Sequence, residues 1–326
     1  MQVVVVTHGH CFDGIASAAV FTRFFEHLYP NEQLQFKYYA ASYDPDFDGV
    51  FPSLLSGDVN AILDFRFSSS PQLTWYFDHH TSAFPTPLDR TTYEAHVINH
   101  PDRSRKMFHD TAYGSCTKLI AEVGATLFNF DFTPLTELIA WADQIDRAAF
   151  PNAQMAVERK EPVLQLMTVI EQMADDHFLQ SMIPRLLEEP LNQVACSTEI
   201  AEAYRPLKEK HNAFIHLIRE RAQEQKGVVF VDLSHALLET VGKFVTYALF
   251  PSSMYSVLLS VSSSKCKISI GFNPWCGAKR NHNIAKICER YGGGGHPVVG
   301  AITLPVTQLE KAREIALSIA HQLMSP

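Results

Sequence analysis

The sequence contains no long apolar run, no basic leader and no paired-cysteine motif, and each absence removes a class of protein. The chain opens Met-Gln-Val-Val-Val-Val, and its first apolar run stops at Thr7. That is too short for a signal peptide's apolar region or a membrane span. The six cysteines (Cys11, Cys116, Cys196, Cys266, Cys276 and Cys288) are scattered, with no C-x-x-C pair among them. This argues against a disulfide framework or a structural zinc site, fits a reducing compartment, and leads us to expect a cytoplasmic protein with no membrane partner. Excess positive charge is also lacking. With a formal net charge of -8, the surface as a whole does not invite duplex DNA, so any contact with nucleic acid must come from a local basic patch. A long basic track with stacking platforms, as processive single-strand binding needs, is not evident. What is present is ordinary for a soluble chain: 326 residues, 46% hydrophobic and 19% charged, enough for about two domains with real cores.

The stretch that organises the rest is Tyr76-Phe77-Asp78-His79-His80-Thr81. Residues 73–77 form a short apolar run that reads as a buried strand, and it ends abruptly in a carboxylate and two imidazoles. Such a trio is a poor way to build a core and a good way to present metal ligands and an acid/base group at the rim of a sheet. Other strand ends share the pattern. Residues 3–6, all valine, predict a central strand buried on both faces. That strand runs into Thr7-His8-Gly9-His10-Cys11-Phe12-Asp13-Gly14, and an amphipathic helix over 15–28 follows. A second strand is expected over 35–40 and a third over 61–63, the latter ending in Asp64. Strand, polar loop and helix open a doubly wound α/β domain, in which ligands gather outside the carboxyl ends of parallel strands. His8, Asp13, Asp64, Asp78, His79 and His80 all fall there.

Other stretches carry weaker signals. Asp44-Pro45-Asp46-Phe47-Asp48-Gly49 matches the start of a calcium loop, but Leu55 stands where a bidentate Glu is required, so a solvated turn is the better reading. Residues 81–110 are turn-rich, with an edge strand expected over 94–98. His96, His100 and His109 share no ligand spacing there. A helix over 111–123 enters through Tyr113-Gly114-Ser115, whose backbone amides could meet an anion or simply be capped. A further helix over 134–148 carries Asp143 and Asp146, three apart and therefore close on one face.

Residues 163–225 read as helical and more charged, and the texture changes at Lys226-Gly227 to a new strand. We therefore divide the chain into a catalytic domain over 1–195, a connecting helix over 196–226 and a smaller domain over 227–326. The last should hold a mixed sheet: a helix over 242–249, a hairpin over 255–262 and 265–272, a helix over 284–290, a strand over 301–304 and a closing helix over 307–323. Between helix and strand stands Tyr291-Gly292-Gly293-Gly294-Gly295-His296-Pro297. Four glycines in a row cost backbone entropy, permit close approach of a ligand to the main chain, and offer N–H groups for an anion. Lys279, Arg280, Lys286 and Arg290 add local positive charge or a solvated helix face.

Asp78-His79-His80 and Gly292-Gly293-Gly294-Gly295-His296-Pro297, in that order, resemble the DHH phosphoesterase superfamily in the branch with a C-terminal DHH-associated domain. That resemblance spans nearly the whole chain. It implies metal ligands at His8, Asp13, Asp64, His79 and Asp143, with Asp64 bridging two ions and Asp146 in reserve. It further implies that His80 meets the substrate phosphate or the attacking water, that Asp78 orients its neighbours, and that Gly293, Gly294, Gly295 and His296 grip a substrate phosphate. Arg280 and Ser115 are candidate substrate contacts. One departure stands out: many members carry two aspartates in the first motif, and here Cys11 holds the earlier position, which Cys11 itself or His10 could serve.

A carboxylate and imidazole ligand set open to water suits two Mn2+ ions, with Mg2+, Co2+ or Zn2+ as alternatives. Such a pair would activate water and clamp the attacking and leaving oxygens. The expected activity is hydrolysis of phosphoester bonds in short oligoribonucleotides or small phosphorylated nucleotides, by a protein that could act as a homodimer. The alternatives are an exopolyphosphatase- or pyrophosphatase-like phosphohydrolase, or a nucleotide-binding module with an impaired metal centre.

Overall fold

The computed structural model describes residues 1–43, 49–99, 106–237, 242 and 244–325. The Asp44 to Asp48 stretch of the calcium-loop motif, and His100, lie outside the described residues. The chain separates into two compact units, one comprising 1–149 and 160–204, the other 150–159 and 205–326.

In the first unit five strands form one parallel sheet: β1 (Gln2–His8), β2 (Gln35–Ala41), β3 (Val59–Leu63), β4 (Trp75–Asp78) and β5 (Met107–His109), in the order β2-β1-β3-β4-β5. The valines of β1 are wholly buried, as a central strand covered on both faces requires. Because the strands are parallel and in register, Thr7 lies beside Leu63, Leu63 beside Phe77, and Asp78 beside His109. The carboxyl ends of β1, β3 and β4 thus form one rim, and His8, Asp64 and Asp78 to His80 sit on it.

Helix α1 (Phe12–Leu28) follows β1 after a tight turn. Gly14 makes that turn possible, since a Cβ there would stand 2.1 Å from the carbonyl oxygen of His8. The Thr7 hydroxyl ties it down by donating to the Gly14 carbonyl at 2.6 Å. Phe21, Phe24 and Phe25 of α1 pack edge-on against Trp75, a buried aromatic cluster beneath the rim.

Residues 94–98, expected as an edge strand, belong instead to helix α2 (Pro87–Asn99). The reason is local. Asp89 accepts from both the backbone and the hydroxyl of Thr86 while its own N–H donates to the Thr86 hydroxyl, a capping exchange that starts a helix. The edge position goes to β5. Helices α3 (Cys116–Phe128) and α4 (Thr136–Asp146) follow, then α5 (Ala153–Glu158), α6 (Pro162–Met173), α7 (Asp176–Glu188), α8 (Leu191–Ala195) and α9 (Thr198–Arg221).

The second unit is built on a mixed six-stranded sheet: β6 (Gln223–Gln225), β7 (Val228–Leu237), β8 (Tyr255–Val261), β9 (Lys265–Phe272), β10 (Gly294–His296) and β11 (Val299–Pro305), ordered β10-β11-β9-β8-β7-β6. Only β7 and β8 run parallel; the other pairs are antiparallel. Helices α10 (Val245–Leu249), α11 (Ile284–Glu289) and α12 (Leu309–Leu323) complete it, with Ile284, Ile287, Ala312, Ala316 and Ile319 closing a core over β8 and β9. Residues 150–159 join this unit although they precede α6. The Trp275 indole donates to the Phe150 carbonyl at 2.7 Å, and His211 Nε2 lies 2.8 Å from the Val157 carbonyl. Among the described residues no helix is long and apolar enough to cross a membrane.

Candidate metal centre

Asp64 stands at the middle of the rim. It is 1% exposed and adopts a left-handed backbone (φ 55°), a conformation that a short polar side chain tolerates and that recurs at functional sites. Its backbone N–H donates to the Phe77 carbonyl, which anchors the turn to β4. Three imidazoles surround its carboxylate: His8 Nδ1 lies 3.6 Å from Oδ2, while His79 Nε2 and His80 Nδ1 lie 3.5 and 3.6 Å from Oδ1. His79 Nε2 also stands 3.7 Å from Asp13 Oδ2 and 3.4 Å from Asp146 Oδ2.

These separations do not close the site with hydrogen bonds. Both Asp64 oxygens, His8 Nδ1 and His79 Nε2 are buried and have no hydrogen-bond partner. Leaving buried polar atoms unpaired is costly, and four converging on one spot is the arrangement that a shared cation satisfies. The donors form three overlapping groups: His8, Cys11 and Asp64; Asp64, His79 and His80; and Asp13, His79 and Asp146. Asp64 belongs to two of them and His79 to two. Imidazole and carboxylate donors fit a divalent transition ion, so the residues present match the metal chemistry expected of them.

The neighbouring hydrogen bonds hold these donors in place. His79 Nδ1 lies 3.3 Å from the Tyr113 carbonyl, an outer contact that directs Nε2 towards the carboxylates. Asp78 is fully buried. One of its oxygens accepts from the backbone N–H groups of His79 and His80 and lies 2.7 Å from His80 Nδ1, and the other accepts from the Tyr76 hydroxyl. It therefore fixes the backbone of both histidines and the imidazole of His80. Asp13 is held from α3, accepting from the Cys116 N–H at 2.7 Å and the Thr117 N–H at 3.1 Å.

Charge in the site is unbalanced without a cation. Burial, together with the nearby Asp64 and Asp146 carboxylates, pushes Asp13 well above the usual carboxylate range. Burial and Asp64 push Asp146 up as well. Burial acts against a charged His79, but Asp64, Asp13 and Asp146 outweigh it and raise the imidazole to about 9. For Asp64, burial acts upward and is overcome by His79, His8 and His80, which bring it down to about 2. The Cys11 thiol is pushed well up by burial and by the Asp64, Asp13 and Asp146 carboxylates. A proton on His79 partly fills the place of a cation.

The structure also separates the expected residues. Asp143, expected as a ligand, does not reach His79. Its Oδ2 lies 3.2 Å from Arg147 Nη1 and 3.8 Å from Lys118 Nζ, while Asp146, one turn further along α4, meets His79. At Ser115 the hydroxyl caps α3 by accepting from the Lys118 N–H, and the next two amides are taken by Asp13. Of the two stand-ins at the first motif, Cys11 lies with His8 and Asp64, whereas His10 is exposed.

In the second unit, Gly294 to His296 form the short edge strand β10, and Gly293 precedes it. A Cβ at Gly293 or Gly295 would stand 2.3 Å from a carbonyl oxygen of β11, so two of the four glycines serve strand packing. Gly294 faces open space, and His296 is exposed. Arg280 Nη1 donates to the Pro297 carbonyl and to the His282 carbonyl, which places its guanidinium beside the glycine hairpin.

A search of family models finds no match, and no curated relative matches. Solved structures do. A pGpG-specific phosphodiesterase, PggH from Vibrio cholerae, superposes with a TM-score of 0.66 at 15% identity, covering 99% of both chains. A DHH-domain protein described as a member of the s1p family of ribosomal proteins gives 0.64 at 14% identity, covering 99% of this chain and 87% of the other. An exopolyphosphatase-related protein from Bacteroides fragilis gives 0.51 at 14% identity, covering 100% and 94%. The fold is that of the DHH proteins. Asp78-His79-His80 stands at the end of β4, where the geometry above gathers the candidate ligands.

Proposed function

We propose that this protein is a metal-dependent phosphoesterase acting on short oligoribonucleotides or small phosphorylated nucleotides. The observation that carries the proposal is the set of buried, unpaired donor atoms on Asp64, His8 and His79, gathered at the carboxyl ends of β1, β3 and β4. The DHH fold, shared with a dinucleotide phosphodiesterase, favours this chemistry over other uses of a metal cluster.

His8, Cys11 and Asp64 would hold one divalent ion, and Asp13, His79 and Asp146 a second, with Asp64 shared between them. Ions bound there would place positive charge on a phosphoryl oxygen and acidify water. The protein's own part is positional. Asp78 holds His80 through Nδ1, which leaves Nε2 of that imidazole to donate to a phosphoryl oxygen or pass a proton to the leaving group. Asp78 can do so because it is itself fixed by Tyr76 and two backbone amides. In the second unit, the exposed Gly294 amide region, His296 and Arg280 are the proposed grip on a substrate phosphate.

The test is a panel of substrates assayed with manganese: a diribonucleotide, a short oligoribonucleotide, a nucleoside 3′,5′-bisphosphate, a cyclic dinucleotide and polyphosphate. Turnover of a nucleotide substrate that stops on chelation and returns with manganese is the expected result. Turnover of polyphosphate alone would move the protein to the phosphohydrolase reading, and nucleotide binding with no turnover at saturating manganese would make it a binding module.

A further inference from the structure

Tyr43 lies just beyond β2 on the same side of the sheet as the candidate metal centre. It is 48% exposed, unusual for a ring with partners on several sides. Its centroid is 5.4 Å from that of His8, edge to face, and 4.9 Å from the buried Phe65. The Arg66 guanidinium carbon lies 4.8 Å from the ring centroid. Phe65 and Arg66 follow Asp64 directly, so a candidate ligand, an aromatic backing and a cation come from one short segment.

A core role does not explain the ring's placement. Phe65 already fills the apolar space beneath, at 1% exposure, while Tyr43 adds half-solvated aromatic surface to a rim otherwise made of imidazoles and carboxylates. Every nucleobase has a π face, and aromatic platforms beside a phosphate-handling site accept bases without regard to sequence.

Resting on the phosphoesterase reading above, we infer that Tyr43 is the base-stacking platform for the nucleoside next to the scissile phosphate. Its contact with His8 puts the ring beside the candidate metal centre. The substrate class that follows is nucleotide rather than polyphosphate. Because stacking tolerates any base, the preference is for the presence of a base and not for its identity.

The experiment compares a diribonucleotide with its abasic analogue, using the manganese-loaded full chain, for both turnover and equilibrium binding. Tyr43→Ala should weaken binding of the diribonucleotide and raise its KM by about 10-fold, within the 1–3 kcal/mol per base that stacking supplies. It should leave the abasic analogue unchanged, and Tyr43→Trp should retain the parent's values. A Tyr43→Ala effect equal on both substrates would show that the ring only supports His8, and no effect on either would remove it from the site; both outcomes overturn the inference. Binding without turnover in the parent would defeat the hydrolytic reading while leaving the platform to be judged on affinity. Neither binding nor turnover would defeat both.

Discussion

Asp64 Oδ1 and His79 Nε2 lie 3.5 Å apart, close enough to share a cation and unbonded to anything else. They come from the ends of adjacent parallel strands, and the register between β3 and β4 sets their distance.

Replacing Asp64 by Asn keeps the shape and removes the charge that three imidazoles surround. Metal-dependent hydrolysis should fall at least 100-fold, and His79→Ala should do the same, with circular dichroism unchanged in both. Full activity in either variant, measured by initial rates at saturating manganese, would remove that residue from the site.

The two aspartates of α4 should behave differently. Asp146→Ala is expected to weaken manganese binding about 10-fold or more, at least the scale on which losing a group that merely orients a ligand is felt. Asp143→Ala breaks partly exposed ion pairs with Arg147 and Lys118, which contribute about 0–1 kcal/mol, so metal affinity should change little. Calorimetric titration with manganese separates the two, and the reverse ranking would restore Asp143 as the ligand.

Acidity should compete with the metal. Below pH about 9 the metal-free protein carries a proton on His79 that must leave before Nε2 can ligate. Affinity for manganese should therefore rise with pH up to that value, with at least one proton released per protein at pH 7, from His79, and a further one where the Cys11 thiol ligates. The metal-free fold shows the opposite trend. A histidine raised from 6.5 to about 9 stabilises it fully below pH 6.5, and that stabilisation is lost as pH rises through 9. Titrations in buffers of different ionisation enthalpy measure the proton count; zero release at pH 7 contradicts this account.

His296→Ala should raise KM while leaving kcat within about threefold, since the residue is proposed to hold substrate and not to act on it. A fall in kcat with unchanged KM would place His296 among the groups that act in the chemical step.

Most of the rim was legible because strand periodicity is strong where both faces are buried. Val3 to Val6 could only be a central strand, and the polar residues after each apolar run had to fall at strand ends. The choice between Asp143 and Asp146 was not legible. Both share a helical face, and only the packing of α4 turns one towards His79 while Arg147, four residues on, claims the other. The helix at 87–99 was readable in principle from Thr86 and Asp89 at capping spacing, a signal overridden by the proline-rich surroundings. The glycine run looked like a ligand loop throughout, yet packing against β11 accounts for Gly293 and Gly295 and leaves Gly292 and Gly294 facing open space. Tyr43 carried no sequence signal, since an isolated tyrosine after a strand becomes notable only when His8 and Arg66 are seen around it.

The most direct test is a crystal structure of the protein grown with manganese, with anomalous differences collected at the manganese edge. Two peaks are expected, both at coordination distance (about 2.0–2.3 Å) from Asp64 oxygens, one also bound by His8 and the other by Asp13, His79 and Asp146. No anomalous density at Asp64, or density only elsewhere in the chain, would contradict the assignment of this rim as a metal centre.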